Sequence, residues 1–177
     1  QLSRRYGEAS VLVERCPPAA RHLIIPFAAD GNRFTKIFPM IDASLQSRWR
    51  RMIQFIPATD LDPVAETAVK ECVQKWVSHL GFSGFGSMEF IVDGNRVYII
   101  DAIARLNAAF PLWDNLLGVN SVEWQLAGLG QLPMPSAPTE VYGAAVSLRF
   151  YAEDPIRQIP CPGLIREISS PYRKKTD

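Results

Sequence analysis

The chain has 177 residues, 19 of them basic and 18 acidic, for a net charge of +1. That is length for one domain with a sizeable core, and the charge balance leaves no global field to draw nucleic acid or a lipid surface. A hydrophobic content of 47% excludes a disordered chain, and no apolar run approaches the roughly 18 residues of a membrane span.

Cys16, Cys72 and Cys161 are odd in number and lack CxxC spacing. They read as reduced thiols of an intracellular protein rather than zinc ligands or a disulfide framework. The polar first residues are not a signal peptide, and with no initiator Met the chain reads as cut from something longer.

Residues 10–14 alternate and predict a strand, which Pro17 and Pro18 break. A second apolar run covers 22–29, the turn signal Asp30-Gly31-Asn32 follows, and a third strand is predicted over 33–40. Residues 42–51, with Arg48, Arg50 and Arg51, read as a polar loop. Asp62-Pro63 starts a helix, since Asp accepts bonds from the orphan N–H groups and Pro suits the first turn. Val64, Ala68, Val69, Cys72, Val73, Trp76, Val77 and Leu80 recur at helical spacing, and Gly81 ends the helix.

Residues 81–86 read as a loop feeding a β-hairpin whose turn is Asp93-Gly94-Asn95. Asn120 and Glu123 resemble a capping box opening a helix over 121–129. Three prolines make 131–139 a linker, and 141–151 is the last strand. Strands outnumber helices and come mostly as hairpins, which predicts an α+β fold with a largely antiparallel sheet.

Glu89 and Asp101 lie on the two arms of the hairpin. If the connecting loop spans residues 94–96, they stand directly opposite each other and share a face; a two-residue loop makes them diagonal neighbours on opposite faces. Two carboxylates on one face repel unless a cation or a proton intervenes. Mg²⁺ satisfies them and shares its remaining positions with phosphate oxygens; the alternative is two solvated charges. The flanking Met88, Phe90 and Ile91 argue that Glu89 is buried, where an unpaired charge is costly.

Arg48, Arg50 and Arg51 with Gln46 make either an anion site or a solvated loop. Arg105 and Arg149, at strand ends, are binding residues or surface ion-pair partners. His22 and His79 have no ligand spacing, so no zinc site is expected. Neither GxSxG nor GxxxxGK[ST] occurs.

Together these segments resemble biotin carboxylase, an ATP-grasp enzyme of biotin-dependent carboxylases. Residues 11–15 followed by Arg21-His22 look like the family's strand and Arg-His pair. Residues 81–90, GFSGFGSMEF, look like GYxGxGTxEF; 98–105, YIIDAIAR, stand where the family has FxExNxR; and 107–111, NAAFP, where it has QVEHP. Residues 151–155, YAEDP, and 160–163, PCPG, match NAEDP and SPG.

The resemblance implies residues 1–15 as the end of a lid subdomain and 16–177 as an incomplete carboxy-terminal ATP-grasp domain. It implies Glu89 and Asp101 as ligands of Mg²⁺ or Mn²⁺. Glu14, Arg15 and His22 would line the adenine and ribose side of ATP, Ile91 would pack on the base, and Gln46 would sit near the phosphates beside Arg51, which replaces a family lysine. Arg105 would hold bicarbonate and Arg149 would stabilise the biotin enolate.

Implied partners are ATP, bicarbonate, biotin or a biotinyl carrier domain, the other carboxylase domains and a second copy of the chain. No nucleic acid and no membrane are implied, and the implied compartment is the cytoplasm or mitochondrial matrix.

The departures fall on the chemistry. The family's metal-side Asn is Ile103, the Glu proposed to deprotonate bicarbonate is Ala109, the bicarbonate-binding Gln is Asn107, its neighbouring His is Phe110, and a further His is Trp49. A lost general base costs about 10²–10⁴-fold in rate. The implied activity is therefore an impaired biotin carboxylation. A structural or regulatory carboxylase subunit, and an ATP-grasp ligase for another substrate, stand as alternatives.

Overall fold

The computed structural model describes residues 12–14, 16–32, 35–48, 50–136, 138, 141–157, 159–164 and 166–167. A sheet is built from β1 (Arg21–Asp30), β2 (Thr35–Ile37), β3 (Ile41–Ser47), β4 (Arg50–Ile56), β5 (Ser83–Asp93), β6 (Arg96–Ile103) and β7 (Ala145–Leu148), in the order β6-β5-β1-β3-β4-β7. Every pairing is antiparallel, and the outer half of β1 pairs with β2 where its inner half pairs with β3. The fold is α+β, as the hairpin-rich pattern predicts.

Strand alternation assigns the two faces. Leu23, Ile25 and Phe27 of β1 with Met88, Phe90 and Val92 of β5 form one core under α1 (Pro63–Leu80), which contributes Ala65, Val69, Val73 and Val77. The helix runs as its periodicity predicts: Asp62 Oδ1 accepts from the Val64 and Ala65 amides, and Gly81 closes the end at φ 58°. Ile24 and Ala28 of β1 and Phe85 of β5 line the opposite face, covered by α2 (Phe110–Leu117) and α3 (Ser121–Leu129) through Trp113 and Trp124. Asn120 caps α3 on the Val122 and Glu123 amides. This second face turns polar beyond Ile24, at His22 and Glu89.

Several local expectations are corrected. Residues 42–51 are not a loop but most of the β3–β4 hairpin, because their polar side chains line the open part of a sheet face, where strand residues need not be apolar. Residues 81–86 are largely strand, since β5 begins at Ser83. Residues 12–14 are exposed and outside any strand, and among the described residues of the third expected strand only Thr35–Ile37 are strand. Helix α2 is unforeseen in the sequence reading: its eight residues give little periodicity, and it opens on Phe110-Pro111 without a side-chain cap. Of the two proposed subdomains, 1–15 falls almost wholly outside the described residues.

Candidate active site

The β5–β6 hairpin sets Glu89 and Asp101 opposite each other in register by a route the sequence hides. Asp93 pairs with Arg96, so the turn holds only Gly94 and Asn95, the case that would place Glu89 and Asp101 on opposite faces. A bulge intervenes: Phe90 pairs with Ile99, yet Glu89 pairs with Asp101, leaving Ile100 as the extra residue. The bulge restores the directly opposed register and aligns the two positions on the second face.

Glu89 is 3% exposed and is the centre of the polar cluster. Its Oε2 accepts from His22 Nε2 at 2.9 Å and forms an ion pair with Arg51, whose guanidinium reaches over from β4. Its Oε1 is buried with no hydrogen-bond partner. Burial pushes the Glu89 carboxyl up, but the His22 bond and the Arg51 charge outweigh it and hold the group below its ordinary value.

Gln46 Nε2 donates to the Ala43 carbonyl at 2.9 Å and meets His22 Nδ1 at 2.7 Å. A carbonyl only accepts, so the Gln46 amide nitrogen is the donor, Nδ1 is its second acceptor, and the His22 proton sits on Nε2, facing Glu89.

A second layer fixes this arrangement. Asp42 is buried, and Arg21 Nε donates to its Oδ2 at 2.9 Å. Its Oδ1 accepts from the Ser44 amide at 2.8 Å, and Ser44 Oγ accepts from the His22 amide at 3.0 Å. The chain of bonds crosses the β3 irregularity between Asp42 and Gln46 and aims Gln46 at His22. Sequence reasoning missed Asp42 and Ser44; the Asp-x-Ser spacing of a side chain capping its own backbone two residues on was the available signal.

The other expected site residues are scattered. Ile91, half-buried, stands opposite His22 in the β1–β5 register. Asp101 is exposed and its Oδ1 accepts from the Ala102 amide at 2.8 Å. Arg105 Nη1 donates to the Leu106 carbonyl at 3.1 Å. Arg149 is half-buried past the end of β7, its amide on the Met52 carbonyl. Glu14 is exposed, away from strand or helix, while Arg15 and Trp49 lie outside the described residues.

Of the basic stretch, Arg51 enters the cluster, and Arg50 instead pairs with Glu153 and lies over the Tyr151 ring. Asn107 is engaged by Ser87 Oγ and the Ala109 amide, and Ala109 itself, the N-cap residue of α2, is 2% exposed and packed in the core. The arrangement offers a buried anion with one unsatisfied oxygen beside a guanidinium, which suits a cation on one side and an oxyanion on the other.

The family described as "Carbamoyl-phosphate synthase L chain, ATP binding domain" matches residues 1–131. The biotin carboxylase of Halalkalibacterium halodurans is 27% identical over 169 residues, covering 94% of this chain and 37% of that protein. The urea amidolyase of Lachancea kluyveri is 31% identical across 97% of this chain and 10% of its own length. Among solved structures, a β,γ-ATP complex of Campylobacter jejuni biotin carboxylase superposes with a TM-score of 0.80 at 25% identity, over 98% of this chain and 39% of that one. The chain thus spans well under half the length of these relatives.

Proposed function

The chain belongs to the family of carbamoyl-phosphate synthase L chain ATP-binding domains and is biotin carboxylase-like in sequence and fold, and from that premise we propose that it forms one wall of a biotin carboxylase-type ATP site whose carboxylation step is slowed. The observation that carries this reading is the Glu89 carboxylate, buried on a sheet face, with one oxygen held by Arg51 and His22 and the other unsatisfied.

Mg²⁺ takes one or two protein carboxylates and fills its remaining positions with water and phosphate oxygens. Glu89 Oε1 needs a partner, and Asp101 stands opposite in register, so the donor set fits such an ion. Among the described residues no group of three or more His, Cys, Asp or Glu could hold a metal ion. When bound, the ion would supply charge neutralisation of a polyphosphate.

The remaining roles are those the family resemblance implies. His22 and Gln46 make a neutral, oriented hydrogen-bonding edge beside Arg51, suited to the phosphate and ribose side, and Ile91 offers an apolar wall for the base. Glu14 and Arg15 complete that side in this reading. Arg105 is the bicarbonate-binding cation and Arg149 the one that meets the biotin enolate. Ala109 supplies no proton acceptor where the family carries its base, and it is buried in the apolar core.

The partners in this reading are a biotinyl carrier and the other domains or subunits of a carboxylase, with a second copy of the chain. Among the described residues, no helix is long and apolar enough to cross a membrane.

The test is ATP hydrolysis by the native protein with magnesium and free biotin, with and without bicarbonate, and ATP binding measured in the same sample. Binding is expected, with bicarbonate-dependent turnover about 10²-fold or more below that of a biotin carboxylase that carries the base. Absence of ATP binding overturns the reading. Turnover indifferent to bicarbonate points to a ligase for another acid. Binding without any turnover favours a structural or regulatory subunit, for which the buried Ala109 speaks.

A further inference from the structure

The charge around Glu89 is balanced before any ligand arrives. His22 contributes one hydrogen bond from Nε2, and its other nitrogen is taken by Gln46. Arg51 supplies the compensating positive charge. The neighbouring cations are committed elsewhere: Arg21 to Asp42 and to the carbonyls of Thr59 and Asp60, Arg50 to Glu153. A buried carboxylate without a counter-ion is costly, so an unliganded site requires a resident cation.

The two partners differ in freedom. The Glu89 side chain is 3% exposed and fixed inside the sheet face, whereas that of Arg51 is 28% exposed and opens to solvent. A free divalent ion approaching Glu89 meets the guanidinium on the same carboxylate, and the two positive groups repel. A guanidinium is always charged and prefers to fork onto a planar or tetrahedral oxyanion.

We propose that Arg51 is the resident counter-ion of Glu89, that it bars a free divalent cation from this carboxylate, and that it yields the carboxylate only when an oxyanion of phosphate type draws the guanidinium away. This rests on the reading of the Arg51 side as the phosphate side. The consequence is a positive coupling: oxyanion and cation each strengthen the other's binding, because each removes the group that opposes the other. The device makes the metal dependent on the nucleotide, so the site holds no idle cation.

The experiment uses Mn²⁺ alone as probe, with bound and free ion distinguished by electron paramagnetic resonance and no nucleotide present. Arg51→Met should bind Mn²⁺ roughly tenfold or more tightly than the wild type, and Mn²⁺ should raise its melting temperature. Arg51→Met with Glu89→Gln should lose both gains. Should Arg51→Met fail to fold, Arg51→Lys decides, since an ammonium keeps the charge but not the fork; a gain smaller than tenfold but above wild type is expected.

In the wild type, sulfate should tighten Mn²⁺ binding several-fold over chloride at equal ionic strength. Equal Mn²⁺ affinity in wild type and Arg51 variants overturns the proposal, as does a gain that survives Glu89→Gln or sulfate without effect. ATP binding is measured separately on the same samples. Its absence, with the Mn²⁺ gain intact, defeats the nucleotide reading and leaves the counter-ion role standing.

Discussion

His22 on β1 and Glu89 on β5 meet at 2.9 Å, an imidazole donor on a carboxylate oxygen inside a sheet face. With Arg51 on the same oxygen, this bond holds the Glu89 carboxyl below its ordinary value of 4.5 against the opposing effect of burial. A carboxyl depressed in the folded state contributes stability that is fully present above its unfolded value and is lost as pH falls through the folded one. The protein should therefore hold its full Glu89 contribution above pH 4.5 and lose it progressively below. Glu89→Gln should flatten that part of the profile and, at neutral pH, cost about 1–3 kcal/mol through the unpaired Arg51. Thermal melts of both proteins across the acid range check this; parallel profiles refute it.

Asp42 predicts a positional effect without touching any expected ligand. Its buried carboxylate joins Arg21 to the Ser44 amide, and Ser44 holds the His22 amide. Asp42→Ala should cost about 2–3 kcal/mol, discounted for the partial exposure of Arg21. Asp42→Asn, which keeps an acceptor for Ser44, should cost less. Urea unfolding gives the energies. Hydrogen exchange at the His22 amide should accelerate in Asp42→Ala alone, and unaltered exchange would remove Asp42 from the chain that orders the cluster.

The elements legible in the sequence are those whose signal is local. Helix α1 carries a cap, a periodic stripe and a terminal glycine within one stretch, and all three are realised. The hairpin turn is equally local, but its register is not. The placement of Asp101 opposite Glu89 depends on a bulge at Ile100 that no turn signal encodes, and the two-residue turn alone argues for the wrong face. Strands β3 and β4 are hidden for the opposite reason: Gln46, Arg50 and Arg51 are polar because they lie on the open part of the sheet, where strand residues need not be apolar, so the stretch imitates a loop. Glu89 stands out from the hairpin pattern, Gln46 and Arg51 from the basic stretch, and His22 from resemblance to a family; their mutual contacts are visible only once the sheet is assembled.

The helix that closes the second face makes a steric prediction. A Cβ added at Gly128 of α3 would lie 2.2 Å from Gly84 Cα and 2.3 Å from its amide nitrogen. Backbone cannot yield as a side chain can, so α3 must lift from β5, breaking the Ser83 hydroxyl bond to the Gly128 carbonyl at 2.6 Å. Gly128→Ala should cost about 3 kcal/mol or more. Gly163→Ala, with nothing within 4 Å of the added carbon, should stay within about 0.5 kcal/mol. Chemical denaturation of the two variants side by side measures both, and comparable stabilities would mean that α3 does not pack this closely.

The metal reading is tested by adding back a donor. Ile103 pairs with Ser87 two positions along from the Glu89–Asp101 pair, so an asparagine there presents an amide oxygen on the same face. Ile103→Asn should raise Mg²⁺ affinity several-fold in the presence of ADP, since a third oxygen ligand joins two carboxylates. Ala109→Glu behaves differently: the side chain enters a position 2% exposed, packed with Phe85 and Trp113, and an unpaired carboxylate there costs about 3 kcal/mol or protonates. The double variant should bind Mg²⁺ more tightly than the wild type yet melt lower, and only the fraction that stays folded can regain bicarbonate-dependent turnover. Calorimetric Mg²⁺ titrations with ADP, paired with melting curves, separate these effects. An affinity unchanged in Ile103→Asn and in the double variant would remove Glu89 and Asp101 as the ligands, because a donor placed beside a true ligand pair cannot leave the ion indifferent.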